Sequence, residues 1–151
     1  MSNATTEARR VRSFHDADFV EAYGDAWSDT DTLLQFYAPD GEYIDKASGV
    51  VIKGPEAMLR FMRVYFGFSP ECTVTFTNVI KGADGFAAEW IWAGKFDGPK
   101  ALRLHNRLSP QDGSSFSVDG VSFVKVNSEG KIVSHVDYWD SALWIENWKK
   151  I

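Results

Sequence analysis

The apolar positions of the chain begin with helical spacing. Phe19, Tyr23 and Trp27 fall at i, i+4 and i+8 with Val20 beside them, which predicts a helix from His15 to Trp27 with Asp16 placed to cap it. Ser28-Asp29-Thr30-Asp31 stops that helix and caps a shorter one carrying Leu33, Leu34, Phe36 and Tyr37, which Pro39-Asp40-Gly41 ends by turn chemistry. Two short strands follow, Glu42 to Asp45 and Val50 to Ile52. Gly54-Pro55-Glu56 then opens a third helix with Pro55 in a tolerated first-turn position and an apolar stripe of Met58, Leu59, Met62, Tyr65 and Phe66.

After Pro70 the period becomes two and stays there. Strands are expected over Thr73 to Ile80, Phe86 to Phe96, Phe116 to Val126 and Gly130 to Asp140, separated by turns such as Gly82-Ala83-Asp84-Gly85. From Asp97 to Ser115, Leu102, Leu104 and Leu108 alternate with Arg103, His105 and Arg107, the pattern of a ragged strand or a lid loop. Asp140-Ser141 caps a last helix with Leu143, Trp144 and Trp148. Helices first and antiparallel strands afterwards predict an α+β fold, with helices packed on one face of a strongly curved sheet. No repeat or linker divides it, so residues 1–13 read as a flexible lead-in and 14–151 as a single domain.

One strand breaks the usual division between a greasy and a wet face. In Gly130 to Asp140, Ile132, Val136 and Tyr138 fall on one side, and Val133, His135, Asp137 and Trp139 on the other. An imidazole and a carboxylate between a valine and a tryptophan read as the wall of a partly polar cavity. Burial on such a wall is expected to raise the Asp137 pKa toward the range useful for general acid/base work, with His135 close enough to orient it or share its proton.

Composition narrows the partners. Six Trp, five Tyr and eleven Phe in 151 residues are more ring surface than a core of this size needs, and point to a lined pocket or an apolar interface. Tyr23, Trp27, Trp90, Trp92 and Phe96 are the candidate lining, suited to a small hydrophobic or aromatic molecule. A net charge of −5 without a basic run argues against nucleic acid and anionic membranes, and no apolar run reaches the roughly 20 residues of a membrane helix. A single Cys and three scattered His give no metal-ligand set, and GxGxxG, P-loop and GxSxG motifs are absent, so no metal or cofactor is expected. The expected location is cytoplasmic.

Several segments, weak singly, are specific in their order. They are the helix ending in Trp27-Ser28-Asp29, Phe36-Tyr37-Ala38-Pro39-Asp40, Gly54-Pro55-Glu56-Ala57, Trp90 to Gly98, Val118-Asp119-Gly120, and Gly130-Lys131-Ile132 running to Asp140. Over roughly His15 to Trp148 the chain resembles the SnoaL-like polyketide cyclases, within the superfamily of the nuclear transport factor 2 cone. The resemblance implies a cone with three helices of the N-terminal half on the concave face of the sheet and a short C-terminal helix. It also implies a homodimer through the outer sheet face, where Glu89, Phe123 and Lys125 would lie.

By the same resemblance Asp137 falls where limonene epoxide hydrolase keeps a strand aspartate and near the acid/base aspartate of the cyclases. Asp45 matches the base of the steroid isomerases, and Trp139 a bulky pocket aromatic. Ser122 stands near the place of the isomerase's protonated aspartate, so that feature is absent unless Asp119 replaces it by a shift; the hydrolase's Arg-Asp pair is missing among Trp90 to Gly94. Two readings follow. One is a cofactor-independent enzyme that cyclises or isomerises by proton transfer next to a carbonyl, with Asp137 as acid/base, His135 tuning it and Asp45 as alternate base. The other is a non-catalytic domain that binds a ligand or a protein.

Overall fold

The computed structural model describes residues 12–97, 108–109, 113–145 and 149–150. The elements in order are α1 (Phe19–Ala26), α2 (Thr30–Leu34), β1 (Tyr37–Asp45), β2 (Val50–Lys53), α3 (Pro55–Phe68), β3 (Thr73–Gly82) and β4 (Gly85–Lys95). Then come β5 (Leu108–Ser109), β6 (Ser115–Val126), β7 (Ile132–Trp139), α4 (Ser141–Ile145) and β8 (Lys149–Lys150). Six strands form one sheet in the order β2-β1-β7-β6-β4-β3, antiparallel throughout except for the parallel pair β1 and β7. The sheet is curved and unclosed, with the three N-terminal helices and the short α4 completing an α+β cone, as the resemblance implies. Most of the expected segment from Asp97 to Ser115, and Trp148, lie outside the described residues.

Local chemistry sets the ends. Asp29 caps α2, its side chain accepting from the Asp31 amide and the Thr32 hydroxyl. Asp18 rather than Asp16 is the residue before α1; the Asp16 carboxylate instead accepts from the Ser13 amide, because the chain turns once more before the helix begins. Residues 13 and 14 are docked rather than loose: the Ser13 hydroxyl donates to the Glu129 carbonyl and the Phe14 amide to that of Gly130. None of the described helices is long and apolar enough to cross a membrane.

Two bulges displace the expected phase. β1 starts at Tyr37, not Glu42, and the Pro39-Asp40-Gly41 turn is a bulge inside it, between the Tyr37–Ile132 and Glu42–Ser134 pairs. Gly41 is required there, since a Cβ on it would stand 2.6 Å from the Ile132 carbonyl and 2.9 Å from the Tyr37 ring. In β7 the register slips between the Lys125–Ser134 and Val126–Ile132 pairs. Ile132 therefore turns into the core, fully buried among the residues facing α1, instead of sharing the outer face with Val136 and Tyr138.

From Tyr43 onward the registers line up cleanly across the concave face. One row is Ile52, Tyr43, His135, Val124 and Phe86; the next is Val50, Asp45, Asp137, Ser122 and Ala88. A third is Trp139, Gly120, Trp90 and Phe76, followed by Val118, Trp92 and Val74. The first row packs on α1 through Phe19 and Tyr23; the last joins Phe68, Phe96 and Trp144 in a second aromatic cluster. The polar row lies between two apolar ones, which is what positions the site.

Candidate functional site

Between the sheet and α3 lies a cavity of about 640 Å³. Its floor is the polar row, Asp45, Asp137 and Ser122, with His135 and Tyr43 on one side and Trp139 and Trp90 on the other. Trp27, Phe61, Phe68, Phe76, Trp92 and Trp144 form the apolar walls, and Ala47, Ser48, Val50, Val64, Val74 and Ser141 complete the lining. Small side chains on β4 and β6 leave the room. Gly120 is indispensable to this, because a Cβ there would meet the Trp90 ring at 2.4 Å.

Three neighbours surround Asp137, each delivered by the register of a different row or strand. The Ser122 hydroxyl donates to Oδ1 at 2.5 Å, the His135 Nε2 group contacts the same oxygen at 2.6 Å, and the Tyr43 hydroxyl donates to Oδ2 at 2.7 Å. Behind them, His135 Nδ1 lies 2.6 Å from the Tyr23 hydroxyl, which lies 2.6 Å from that of Tyr37. With the imidazole proton on Nε2 the run is unidirectional: Tyr37 donates to Tyr23, Tyr23 to His135, and His135 to Asp137. Every member of this buried network then has a partner, the condition for such a network to stabilise rather than cost.

The carboxyl pKa of Asp137 is moved by opposed forces. Burial pushes it up, but attraction to the His135 imidazole and the hydrogen bonds from His135, Ser122 and Tyr43 outweigh that, leaving it below the ordinary Asp value. This corrects the expectation of a raised pKa, for a physical reason: the alternation showed burial and the neighbouring His135, while the donors Ser122 and Tyr43 arrive across strands. The Tyr23 and Tyr43 phenols are held well above their usual range, first by burial, then by neighbouring Tyr37 and Asp137 respectively; Tyr37 is also raised, chiefly by burial. All three therefore keep their protons to donate.

Asp45 is held differently. It sits beside Asp137 in the parallel register, on the neighbouring strand. The Ala47 and Ser48 amides and the Trp139 indole N–H all donate to its Oδ1, at 2.9, 3.3 and 2.8 Å. Among the described residues Oδ2 accepts no hydrogen bond.

Of the residues expected to line a pocket, Trp27, Trp90, Trp92, Ser122 and Trp139 do so, together with Asp45, His135 and Asp137. Tyr23 and Phe96 do not. Tyr23 is fully buried behind His135, because its helix turns that ring into the α1 core, and Phe96 is packed within the second aromatic cluster. Sequence reasoning missed Tyr43 and Tyr37. Tyr43 had a legible signal, two residues from Asp45 and so on the same face; Tyr37 was hidden by the bulge. No group of three or more His, Cys, Asp or Glu side chains that could hold a metal occurs among the described residues.

A family model described as a SnoaL-like domain matches residues 17–135. No curated protein matches the sequence. Among solved structures, a protein of ketosteroid isomerase-like fold from Catenulispora acidiphila DSM 44928, in complex with trimethylamine, superposes with a TM-score of 0.69. It is 21% identical, over 85% of this chain and 89% of that one. A protein assigned to the SnoaL-like polyketide cyclases, from Jannaschia sp. CCS1, gives 0.69 and 21%, over 85% and 87%. TerC co-crystallised with polyporic acid gives 0.65 and 14%, over 85% and 95%. These likenesses are likenesses of fold.

Proposed function

The chain belongs to the SnoaL-like family and has its cone, and on that premise we propose that the cavity binds a small hydrophobic or aromatic molecule on which Asp137 performs acid/base chemistry. The reaction is a proton transfer next to a carbonyl, in the service of cyclisation or isomerisation. The observation that carries this reading is the position of Asp137, a carboxylate on the floor of an aromatic cavity and backed by a hydrogen-bonded His135. A depressed pKa keeps it ionised, and so competent as a base, at neutral pH. Asp137 takes the proton from the ligand and returns it at the new carbon, while the Nε2–H of His135, 2.6 Å from Oδ1, holds the carboxyl in place. Ser122 and Tyr43 hold the carboxylate's plane; Asp45, one strand away, is the alternate base. That TerC, which shares the fold, was co-crystallised with polyporic acid supports a small-molecule ligand.

Deuterium exchange tests the reading without knowledge of the natural substrate. 2-Tetralone and related aryl ketones incubated in D₂O should gain deuterium at the carbon next to the carbonyl faster with the protein than without it. Asp137→Asn should abolish the acceleration with the far-ultraviolet and tryptophan spectra unchanged. An Asp137→Asn variant as active as the wild type would transfer the role to Asp45, and no acceleration by either protein would favour the second reading, a binding domain. That second reading has its own support: each Asp137 oxygen already accepts a hydrogen bond from protein, and its proton affinity is low.

We also propose that the outer sheet face pairs two copies of the chain. Ile91, Val121, Phe123 and Tyr138 stand exposed on adjacent strands there, with Glu89 and Lys125 beside them. Phe123→Lys should convert a dimer into a monomer in sedimentation; a wild-type monomer would dismiss the proposal.

A further inference from the structure

The charge of the cavity is as one-sided as its walls are aromatic. Two carboxylates line it, Asp45 and Asp137, and no lysine or arginine does among the described residues. His135 is the one described lining group that can carry positive charge, and it stands behind Asp137, fully buried and bonded to it. If the imidazole is protonated the lining still carries one net negative charge, on Asp45; if neutral, two.

The two carboxylates are not equally occupied. Protein donors reach both oxygens of Asp137, whereas the three donors to Asp45 converge on Oδ1. Oδ2 of Asp45 is an anionic oxygen left open beside the tryptophans. One of those donors is the indole of Trp139, which ties the carboxylate to an aromatic corner. There Trp139 meets Trp92 at 6.0 Å and 85° and Trp144 at 5.9 Å and 69°, while Trp92 and Trp144 are 5.2 Å apart. Trp92 and Trp144 are inclined by 39°, and the three indoles together wall the corner. A carboxylate oxygen in a corner walled by indoles attracts a desolvated cation and repels an anion.

We infer that the ligand of this cavity carries a protonated or quaternary amine, seated in the Trp92–Trp139–Trp144 corner against Asp45 Oδ2, with its apolar body over the polar row. This rests on the reading that the cavity holds a small molecule, and it specifies that molecule's class. It also meets a need of the proposed chemistry. Removing a proton next to a carbonyl builds negative charge on the carbonyl oxygen, and the described lining offers no lysine or arginine to offset it. A ligand bearing its own ammonium group supplies the counter-charge. Asp45 then holds the cation while Asp137 moves the proton.

The experiment compares three probes that share a benzyl group. Benzyltrimethylammonium is the cation, neopentylbenzene its neutral isostere, and phenylmethanesulfonate the anion. Tryptophan fluorescence and indole N–H chemical shifts would report binding to wild type and to Asp45→Asn, which keeps an oxygen for the Trp139 indole. The cation should bind wild type at least about tenfold more tightly than the isostere, the anion should not bind, and Asp45→Asn should erase the cation's advantage without weakening the isostere. Equal or tighter binding of the isostere by wild type overturns the inference while leaving the small-molecule reading intact. Binding of none of the three overturns both. Should Asp45→Asn fail to fold, the preference of the wild type among the three probes decides alone.

Discussion

The two sides of the cavity floor are built to opposite rules. On the α1 side, Tyr37, Tyr23, His135, Ser122 and Tyr43 close on Asp137 with short hydrogen bonds, Ser122 and Tyr43 brought by cross-strand register, His135 by its own strand and Tyr23 by α1. On the α4 side, Trp92, Trp139 and Trp144 meet through ring contacts, steep at Trp139 and tilted by 39° between Trp92 and Trp144. The first region is specified by directional bonds and tolerates no orphan; the second is specified mainly by volume, apart from the Trp139 indole N–H that donates to Asp45. Substitutions in one should therefore fail by stranding polar groups, and in the other by crowding or emptying space.

The largest effect is expected at the centre of the first region. Asp137→Leu keeps the branching at Cγ but removes the acceptor of three buried donors, and should destabilise the protein by about 3–5 kcal/mol in urea unfolding. Were the cost under about 1 kcal/mol, the network would be adding geometry and no stability.

In the second region the matching break is Gly120→Ala. The new methyl would lie 2.4 Å from Trp90, whose ring rests on that glycine, so the indole must leave its rotamer or β6 must move. Overpacking of this kind costs about 1–3 kcal/mol, and near-ultraviolet circular dichroism should register the displaced indole. Asp137 lies beyond Ser122 from the new methyl, so the comparison is sharpened if the three hydrogen bonds survive. Their survival would be read from the His135 ring signals.

Tyr23→Phe is a smaller break. It leaves His135 Nδ1 and the Tyr37 hydroxyl facing each other across a missing oxygen, for about 1–3 kcal/mol at most, less if a water enters. Because Tyr23 acts only through His135, deuterium exchange catalysed by Asp137 should slow without vanishing, and its pH profile should shift. An unmoved profile would make Tyr23 purely structural.

These pairs also explain what was legible beforehand. Alternation from Thr73 onward carried most of the sheet, and it placed His135, Asp137 and Trp139 on one face, because side-chain period survives wherever no bulge intervenes. Ile132 and Tyr37 escaped for the converse reason: one extra residue in a strand reverses its phase, and nothing in Pro39-Asp40-Gly41 distinguishes a bulge from a turn. Register is the deeper gap. That Ser122 lies opposite Asp137, and Tyr43 opposite His135, depends on which residues pair across strands, and a single sequence does not state its pairings. The carboxylate and His135 were thus legible, while the donors Ser122 and Tyr43, and with them the direction of the pKa shift, were not.

The smallest effect tests that direction. Asp137 has a lower pKa folded than unfolded, so its ionised form is the one folding favours. The stability it contributes is fully present above the unfolded value, near 4, and is lost as pH falls through the depressed folded value. The stability difference between wild type and Asp137→Asn should accordingly be flat from pH 7 to about 5 and shrink below about 4. The slope will be gentle, since the shift is what remains after burial has opposed three donors. A difference that instead grew on acidification would mean that desolvation dominates and the carboxyl is held protonated. Asp137 would then resemble a hydrogen-bond donor to the ligand rather than a base, and the two sides of the floor would differ in geometry alone.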